Sequence, residues 1–255
     1  SPIHADPPGI PLRCSGNFES AGVLPTTMLT LRHLLCLVFA GLFAAAASAD
    51  TSVKGSPIET LVKEISRRQK EVRTLQAEFR QEKNLSLLAQ PDVSSGTFVF
   101  SYPNRVRWEY QAPRSVTLLI ASGTMTTYYP SLHKAEKVEI KGFEDRIFRY
   151  MGAAAGAIDD LGKYFDFRLV DARNDPFYTL DLTPKTKVLA RRVQRITIRV
   201  DRQSYFTTMV EWVEGNGDST RYEFTNIRVN EPVDEARFRL QLPNGVRVET
   251  IDLNR

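Results

Sequence analysis

The sequence predicts a mainly β domain with a few helices (α+β), built as one large antiparallel sheet that curls and carries an amphipathic helix. Three observations lead there. From about residue 75 apolar residues recur at every second position in short runs. Those runs are cut by turn signals such as Asn174-Asp175-Pro176, Glu214-Gly215-Asn216-Gly217 and Pro243-Asn244-Gly245, the pattern of many short antiparallel strands. Ahead of them, one stretch has helical spacing instead. A sheet of this many strands twists and tends to curl. No repeat or linker interrupts residues 50–255, which are read as a single domain.

Residues 1–27 contain Pro2, Pro7, Pro8, Pro11 and Pro25 and show no period, so they read as a disordered upstream extension with Met28 as the true start. Met28 to His33 is a short basic opening, Leu34 to Ala47 an unbroken apolar run, and Ala47-Ser48-Ala49 a small-x-small exit. These are the three parts of a secretory signal. The run is shorter than the ~20 apolar residues that a membrane span needs. Residues 28–49 are therefore expected to be a signal peptide cleaved after about Ala49, with a retained anchor as the competing reading. Cys36 follows Leu35 inside the apolar run and is a passenger there.

Ser56-Pro57-Ile58-Glu59 is a capping box with proline at the first helical position. Ile58, Leu61, Val62, Ile65, Val72 and Leu75 follow at helical spacing. The stripe lacks bulky aromatics, which favours packing on the domain's own sheet over a membrane surface. From Leu75 the period changes to two, predicting a strand to about Leu88. Pro91-Asp92 and Ser94-Ser95-Gly96 read as the turn into a hairpin over Gly96 to Pro113. Its first arm sets Phe98 and Phe100 against Thr97 and Val99. Tyr102-Pro103-Asn104 breaks the run. In the second arm Val106, Trp108 and Tyr110 alternate with Arg105, Arg107 and Glu109.

Further strands are expected over Thr117–Ala121, Thr124–Tyr129, Lys137–Lys141, Phe165–Asp171, Phe177–Leu182, Arg195–Asp201, Thr207–Glu214, Ser219–Asn226 and Phe238–Leu242. Between the two groups, Phe143 to Leu161 has helical character. Ile147, Phe148 and Met151 fall within two turns and Gly152-Ala153-Ala154-Ala155-Gly156-Ala157 follows. Such a segment suits either a movable lid or a tight helix-on-sheet contact.

The residue inventory disfavours catalysis. Cys14 and Cys36 both precede Asp50, so the exported part has no thiol for a disulfide or a zinc–thiolate site. Its single histidine, His133, sits in a loop with no nucleophile elbow nearby. Metal-protease, phosphate-loop and dinucleotide motifs are absent from the sequence. Asp159 and Asp160 are helix neighbours that diverge by ~100°. The chain is read as a non-enzyme without cofactors or metal, an unusual carboxylate-only hydrolase being the residual enzyme reading. The net charge of +4 is mild, since Arg13 and Arg32 balance Asp6 and Glu19. Lys185, Lys187, Arg191, Arg192 and Arg195 are too few for a nucleic-acid stripe. They read as a solvated loop and strand start, with contact to acidic headgroups or an acidic protein as the alternative.

The greasy face of the hairpin must be covered, by a core or by a guest. If by a guest, Phe98, Phe100, Val106, Trp108, Tyr110, Leu118 and Ile120 line the sheet side, and Ile147, Phe148 and Met151 form the cover. Plain core packing gives the same pattern.

Several of these stretches carry a resemblance. The signal peptide, the opening that ends in Ala77-Glu78-Phe79-Arg80-Gln81, and Tyr102-Pro103-Asn104-Arg105-Val106-Arg107-Trp108-Glu109-Tyr110 resemble the periplasmic outer-membrane lipoprotein carriers, the LolA-like family. Leu182-Thr183-Pro184-Lys185, Asp218-Ser219-Thr220 and Phe238 with Pro243-Asn244-Gly245-Val246 are similar too, so the likeness spans roughly residues 58–252. The resemblance implies an incomplete antiparallel barrel, closed by an N-terminal helix and a short helical lid, with an apolar cavity for acyl chains. It implies a monomer in the periplasm that takes lipoproteins from an inner-membrane releasing transporter to an outer-membrane acceptor. A module or sensor of the same fold for another lipid or glycolipid is the alternative. Two departures stand out. Where the family often has a basic latch residue before the hairpin proline, this chain has Tyr102, which with Arg107 is assigned to the lid latch. Thr126 and Thr127 occupy places where large apolar residues are usual.

Overall fold

The change of period at residue 75 is where helix gives way to sheet. The computed structural model describes residues 57–141, 158–170 and 174–251. The upstream extension, the signal segment 28–49 with its cleavage site, Ser56, and residues 143–157 with Ile147, Phe148 and Met151 lie outside the described residues.

Helix α1 spans Pro57–Lys70, with Pro57 at its start, and buries Leu61, Ile65, Ser66 and Gln69 along one stripe. Its other face carries ion pairs within the helix, including Glu64 with Arg67 and Arg68. The hydrogen bonds from those two guanidiniums hold the Glu64 carboxyl at about 2. The helix stops five residues before the predicted stripe ends. Val72 and Leu75 are buried, but Glu71 N–H and Val72 N–H already turn back onto Arg68 and Gln69 carbonyls.

Twelve strands among the described residues form one sheet: β1 Thr74–Asn84, β2 Asp92–Ser101, β3 Arg105–Ala112, β4 Val116–Ala121, β5 Thr124–Tyr129, β6 Lys134–Glu139, β7 Phe165–Val170, β8 Phe177–Pro184, β9 Val193–Asp201, β10 Thr207–Glu214, β11 Ser219–Val229 and β12 Arg247–Ile251. Their order is β12-β6-β5-β4-β3-β2-β1-β11-β10-β9-β8-β7, open at both edges. Short helices α2 Ile158–Leu161 and α3 Lys187–Ala190 precede β7 and β9. Thr186 caps α3 through its hydroxyl, which accepts from Leu189 N–H, so the basic cluster around Lys187 begins in a helical turn. The fold is mostly β with few helices, as expected.

Four expectations are corrected. Strand β1 ends at Asn84 rather than near Leu88, because Leu88 N–H turns back to Leu85 and Asp218 accepts from Ser86 N–H. Ser94-Ser95-Gly96 lies inside β2, where Ser94 and Ser95 pair with Gln81 and Arg80 of β1. Residues 239–242 form no strand. The 3-10 turn Glu235–Phe238, capped by Asp234, instead sets Phe238 against Val99 and Leu119. The sheet is not wholly antiparallel, since β12 pairs with β6 in parallel.

Register fixes what shares a face. Phe98 pairs with Trp108 and Ala77, Trp108 with Leu118, Phe79 with Phe224, and Tyr222 with Gln81 and Val210. On the far side, Leu180 and Leu182 pair with Ile198 and Ile196. These residues make one face. The opposite face holds Glu78, Arg80, Arg107, Glu109, Thr179, Asp181 and Arg199.

The apolar face is concave. Trp108 on β3 and Tyr222 on β11 are three strand steps apart, about 14 Å on a flat sheet. Their ring centroids are 5.4 Å apart, so the sheet curls around them. At the β7–β10 end, Leu180, Leu182 and Val200 of the inner face are fully buried. Outward residues there include Arg168, Asp181, Thr197 and Arg199, so the buried stripe of α1, which contacts β7 and α2, lies on the inner side.

Candidate functional site

The centre of the inner face is a run of aromatic rings drawn from strands that are distant in sequence. Trp108 lies 4.8 Å from Phe98, 5.3 Å from Phe79 and 6.4 Å from Phe224, ring centre to ring centre. Tyr222 stacks between Phe224 and Trp212, at 6.2 and 5.8 Å. Edge and offset contacts of this kind add to the gain from burial alone. Gly96 makes room for the cluster, since a side chain there would meet the Phe79 ring and the Glu109 carbonyl.

The expected sheet residues come together here. Phe98, Val106, Trp108, Leu118 and Ile120 are buried side by side on the inner face, and Phe100 and Tyr110 are half-buried on the same face. Met125 and Val138 continue the surface toward β6. Thr127 pairs with Leu118 on this face, while Thr126 pairs with Leu119 on the other.

Sequence reading missed Phe79, Gln81, Lys83, Trp212, Tyr222 and Phe224. Each obeys an alternation visible in its own strand, but nothing local says that Tyr222 and Phe79 meet. Gln81 Nε2 donates to the Tyr222 hydroxyl, and the Tyr222 and Tyr110 hydroxyls lie 2.9 Å apart. Burial pushes the Tyr110 phenol up to about 12 and Tyr222 well above its ordinary value. Lys83 sits at the end of this row, buried, and desolvation lowers its ammonium from the usual lysine value against a partial offset from Asp92 and Glu214.

The latch residues are placed differently from the expectation. Arg107 is on the outer face, where it donates to Glu109 at 3.0 Å and to the Arg237 carbonyl at 3.2 Å. Arg105 pairs beside it with Glu235. These contacts strap the C-terminal segment to the sheet, because alternation on β3 turns Arg107 away from the face that carries Trp108. Tyr102 is exposed at the hairpin tip with the Arg73 guanidinium 4.5 Å above its ring.

Chemistry for catalysis is thin among the described residues. His133 is exposed in a left-handed cap, and its carbonyl accepts from Arg247 N–H. No group of His, Cys, Asp and Glu among the described residues could hold a metal ion. No described helix is long and apolar enough to cross a membrane.

Residues 70–241 match the family model described as "Outer membrane lipoprotein carrier protein LolA". The outer-membrane lipoprotein carrier protein of Cupriavidus taiwanensis is 30% identical over 159 residues, which cover 61% of this chain and 70% of that one. The carrier of Pseudomonas paraeruginosa is 24% identical over 208 residues, covering 81% of this chain and 96% of its own. In structure, an uncharacterized conserved protein from Thermus thermophilus superposes with a TM-score of 0.51 at 9% identity, over 77% of this chain and all of that one. That likeness speaks to fold alone.

Proposed function

Since the chain belongs to the LolA family of outer membrane lipoprotein carrier proteins, we propose that it shelters the acyl chains of lipoproteins against the concave face of its sheet and ferries them across the periplasm. The observation that carries this reading is the continuous apolar inner face, from Leu180 and Leu182 at one end to Met125 and Val138 at the other. Among the described residues no second sheet faces it.

The energetics explain why such a surface is needed. Each methylene kept from water is worth ~0.8 kcal/mol, so one 16-carbon chain costs roughly 12 kcal/mol to expose. A triacylated protein cannot cross water unaided on any useful timescale. A carrier must offset most of that cost yet release the cargo, which favours a shallow, semi-open wall over a sealed cavity. Phe98, Phe100, Val106, Trp108, Tyr110, Leu118 and Ile120 form the wall, with Ile147, Phe148 and Met151 assigned to its movable cover. The cargo is handed on by an inner-membrane releasing transporter and received by an outer-membrane acceptor. The carrier works as an exported monomer after loss of residues 1–49, and binds without catalysing a reaction.

Spheroplasts of the source bacterium, incubated with purified residues 50–255, test this. The protein should release triacylated lipoproteins into the soluble fraction as a one-to-one complex and bind a triacylated lipopeptide at micromolar concentration. Uptake of free glycolipid with no lipoprotein release would replace the carrier by a lipid-binding module. No uptake of any acyl probe would overturn both.

A further inference from the structure

The inner wall holds one buried hydrogen-bond donor that no acceptor among the described residues meets. Trp108 Nε1 is buried and has no partner, although the residue as a whole is only 6% exposed. An indole N–H can only donate, and leaving it unmet in an apolar site is costly. Of the rings around it, Phe79, Phe98 and Phe224 carry no acceptor oxygen, and Tyr222, 5.4 Å away between ring centres, makes no hydrogen bond to it.

The polar side chains beside it are occupied with one another. Gln81 donates to Tyr222, and one hydrogen bond joins the Tyr222 and Tyr110 hydroxyls. Burial keeps both phenols protonated, hence donors, through the neutral range. The other buried orphan, Gln69 Oε1, is an acceptor and belongs to α1.

A wall meant only for methylenes needs no donors. We propose that the Trp108 N–H donates to a carbonyl oxygen of the guest's acyl linkages, the esters or amide that join fatty chains to the head. The inference rests on the acyl-carrier reading and adds a point of recognition to it. A carbonyl is a neutral acceptor, so it meets an N–H in this setting without the desolvation that a carboxylate or phosphate would suffer. It also sits at the root of each chain, so holding it fixes how deep the tails lie. Trp108 is therefore a specificity residue of the wall as well as part of its surface.

The test pairs a variant with a matched ligand. Trp108→Phe keeps an aromatic ring and removes the N–H. The ligands are a diacyl-ester lipopeptide and its dialkyl-ether twin, with the same chains and no carbonyls. The unaltered protein should prefer the ester by about five- to tenfold, the size of one net hydrogen bond. W108F should lose that preference, weakening ester binding about five- to tenfold more than ether binding. In parallel, the Trp108 indole N–H proton resonance should move downfield with the ester and not with the ether. The chain's only other tryptophan, Trp212, serves as the internal reference. If W108F fails to fold, the resonance shift in the parent decides the matter. Equal binding of ester and ether by the parent, or equal weakening of both by W108F, overturns the inference and leaves the carrier intact. Failure to bind either lipid overturns the carrier reading itself.

Discussion

Replacing Gly96 by alanine puts a Cβ 1.9 Å from the carbonyl oxygen of Glu109 and 2.9 Å from Phe79 Cζ. Ordinary contact begins at 3.4 Å, so the methyl arrives about 1.5 Å too close. The ring tip could give way, but the carbonyl cannot, because it belongs to the β3 backbone beside the irregularity at Ser95/Gly96. The strands must part there or the bulge must move. Overpacking of this kind costs about 1–3 kcal/mol, and a backbone obstacle places Gly96→Ala at the upper end. For a domain of about 200 residues each kcal/mol lowers the melting temperature by about 2–4 °C, so a fall of about 6–12 °C is expected. Gly217→Ala is the control. Gly217 has φ +89 with open space around it, so only conformational strain of about 1 kcal/mol applies and the fall should be about 2–4 °C. Thermal unfolding of residues 50–255 followed by far-UV circular dichroism reads both. If G96A melts no lower than G217A, the close approach of β3 to Gly96 is not real.

Two further outcomes follow from the site. Arg107→Ala removes the bond to the Arg237 carbonyl, so trypsin should cleave at Arg237 and Arg239 sooner while uptake of acyl probe stays as in the parent; altered uptake with unaltered cleavage would restore the latch assignment. In alkali, the Tyr110 phenol is pushed up to about 12 by burial, against about 10 in the unfolded chain. The folded protein thus binds that proton more tightly, so the contribution is whole below pH 10 and drains away as pH rises toward 12. Urea midpoints measured over that window should fall more steeply for the parent than for Y110F, and equal slopes would show that the phenol is not buried.

How much of this was legible from the chain depends on how far each signal reaches. The hairpin of Phe98 and Trp108 read correctly because alternation and the Tyr102-Pro103-Asn104 break are both local, and register bears out the shared face. Gly96 did not, since a glycine after two serines looks like a turn until the Phe79 ring is known to lie over it. Phe238, Leu240 and Leu242 alternate as a strand would. Phe238 and Leu240 instead pack with Val99 and Leu119, on strands more than a hundred residues earlier. The parallel pairing of β12 with β6 needs the same long-range knowledge. Tyr222 and Phe79 were visible as alternating residues, yet their meeting depends on curvature, a property of the whole sheet.

The two faces of that sheet also settle which part can move. On the outside, Phe238 plugs Val99 and Leu119, and Arg105 and Arg107 fasten the same segment across β3. The strap continues to β12, which is laddered to β6. Flattening the sheet to admit a guest would have to stretch this strap along with five strand ladders, each of them backbone hydrogen-bonded. It would also draw Trp108 away from Tyr222 and give up the ring contacts between them. On the inside, α1 meets β7 and α2 through a stripe whose apolar members are Leu61 and Ile65. Lifting α1 would uncover Leu61 and Ile65, whereas flattening the sheet would part the aromatic run at its centre, and apolar area sets the cost. The curved wall is therefore the costlier part to move, and on the proposed carrier reading room for acyl chains would be made on the helical side.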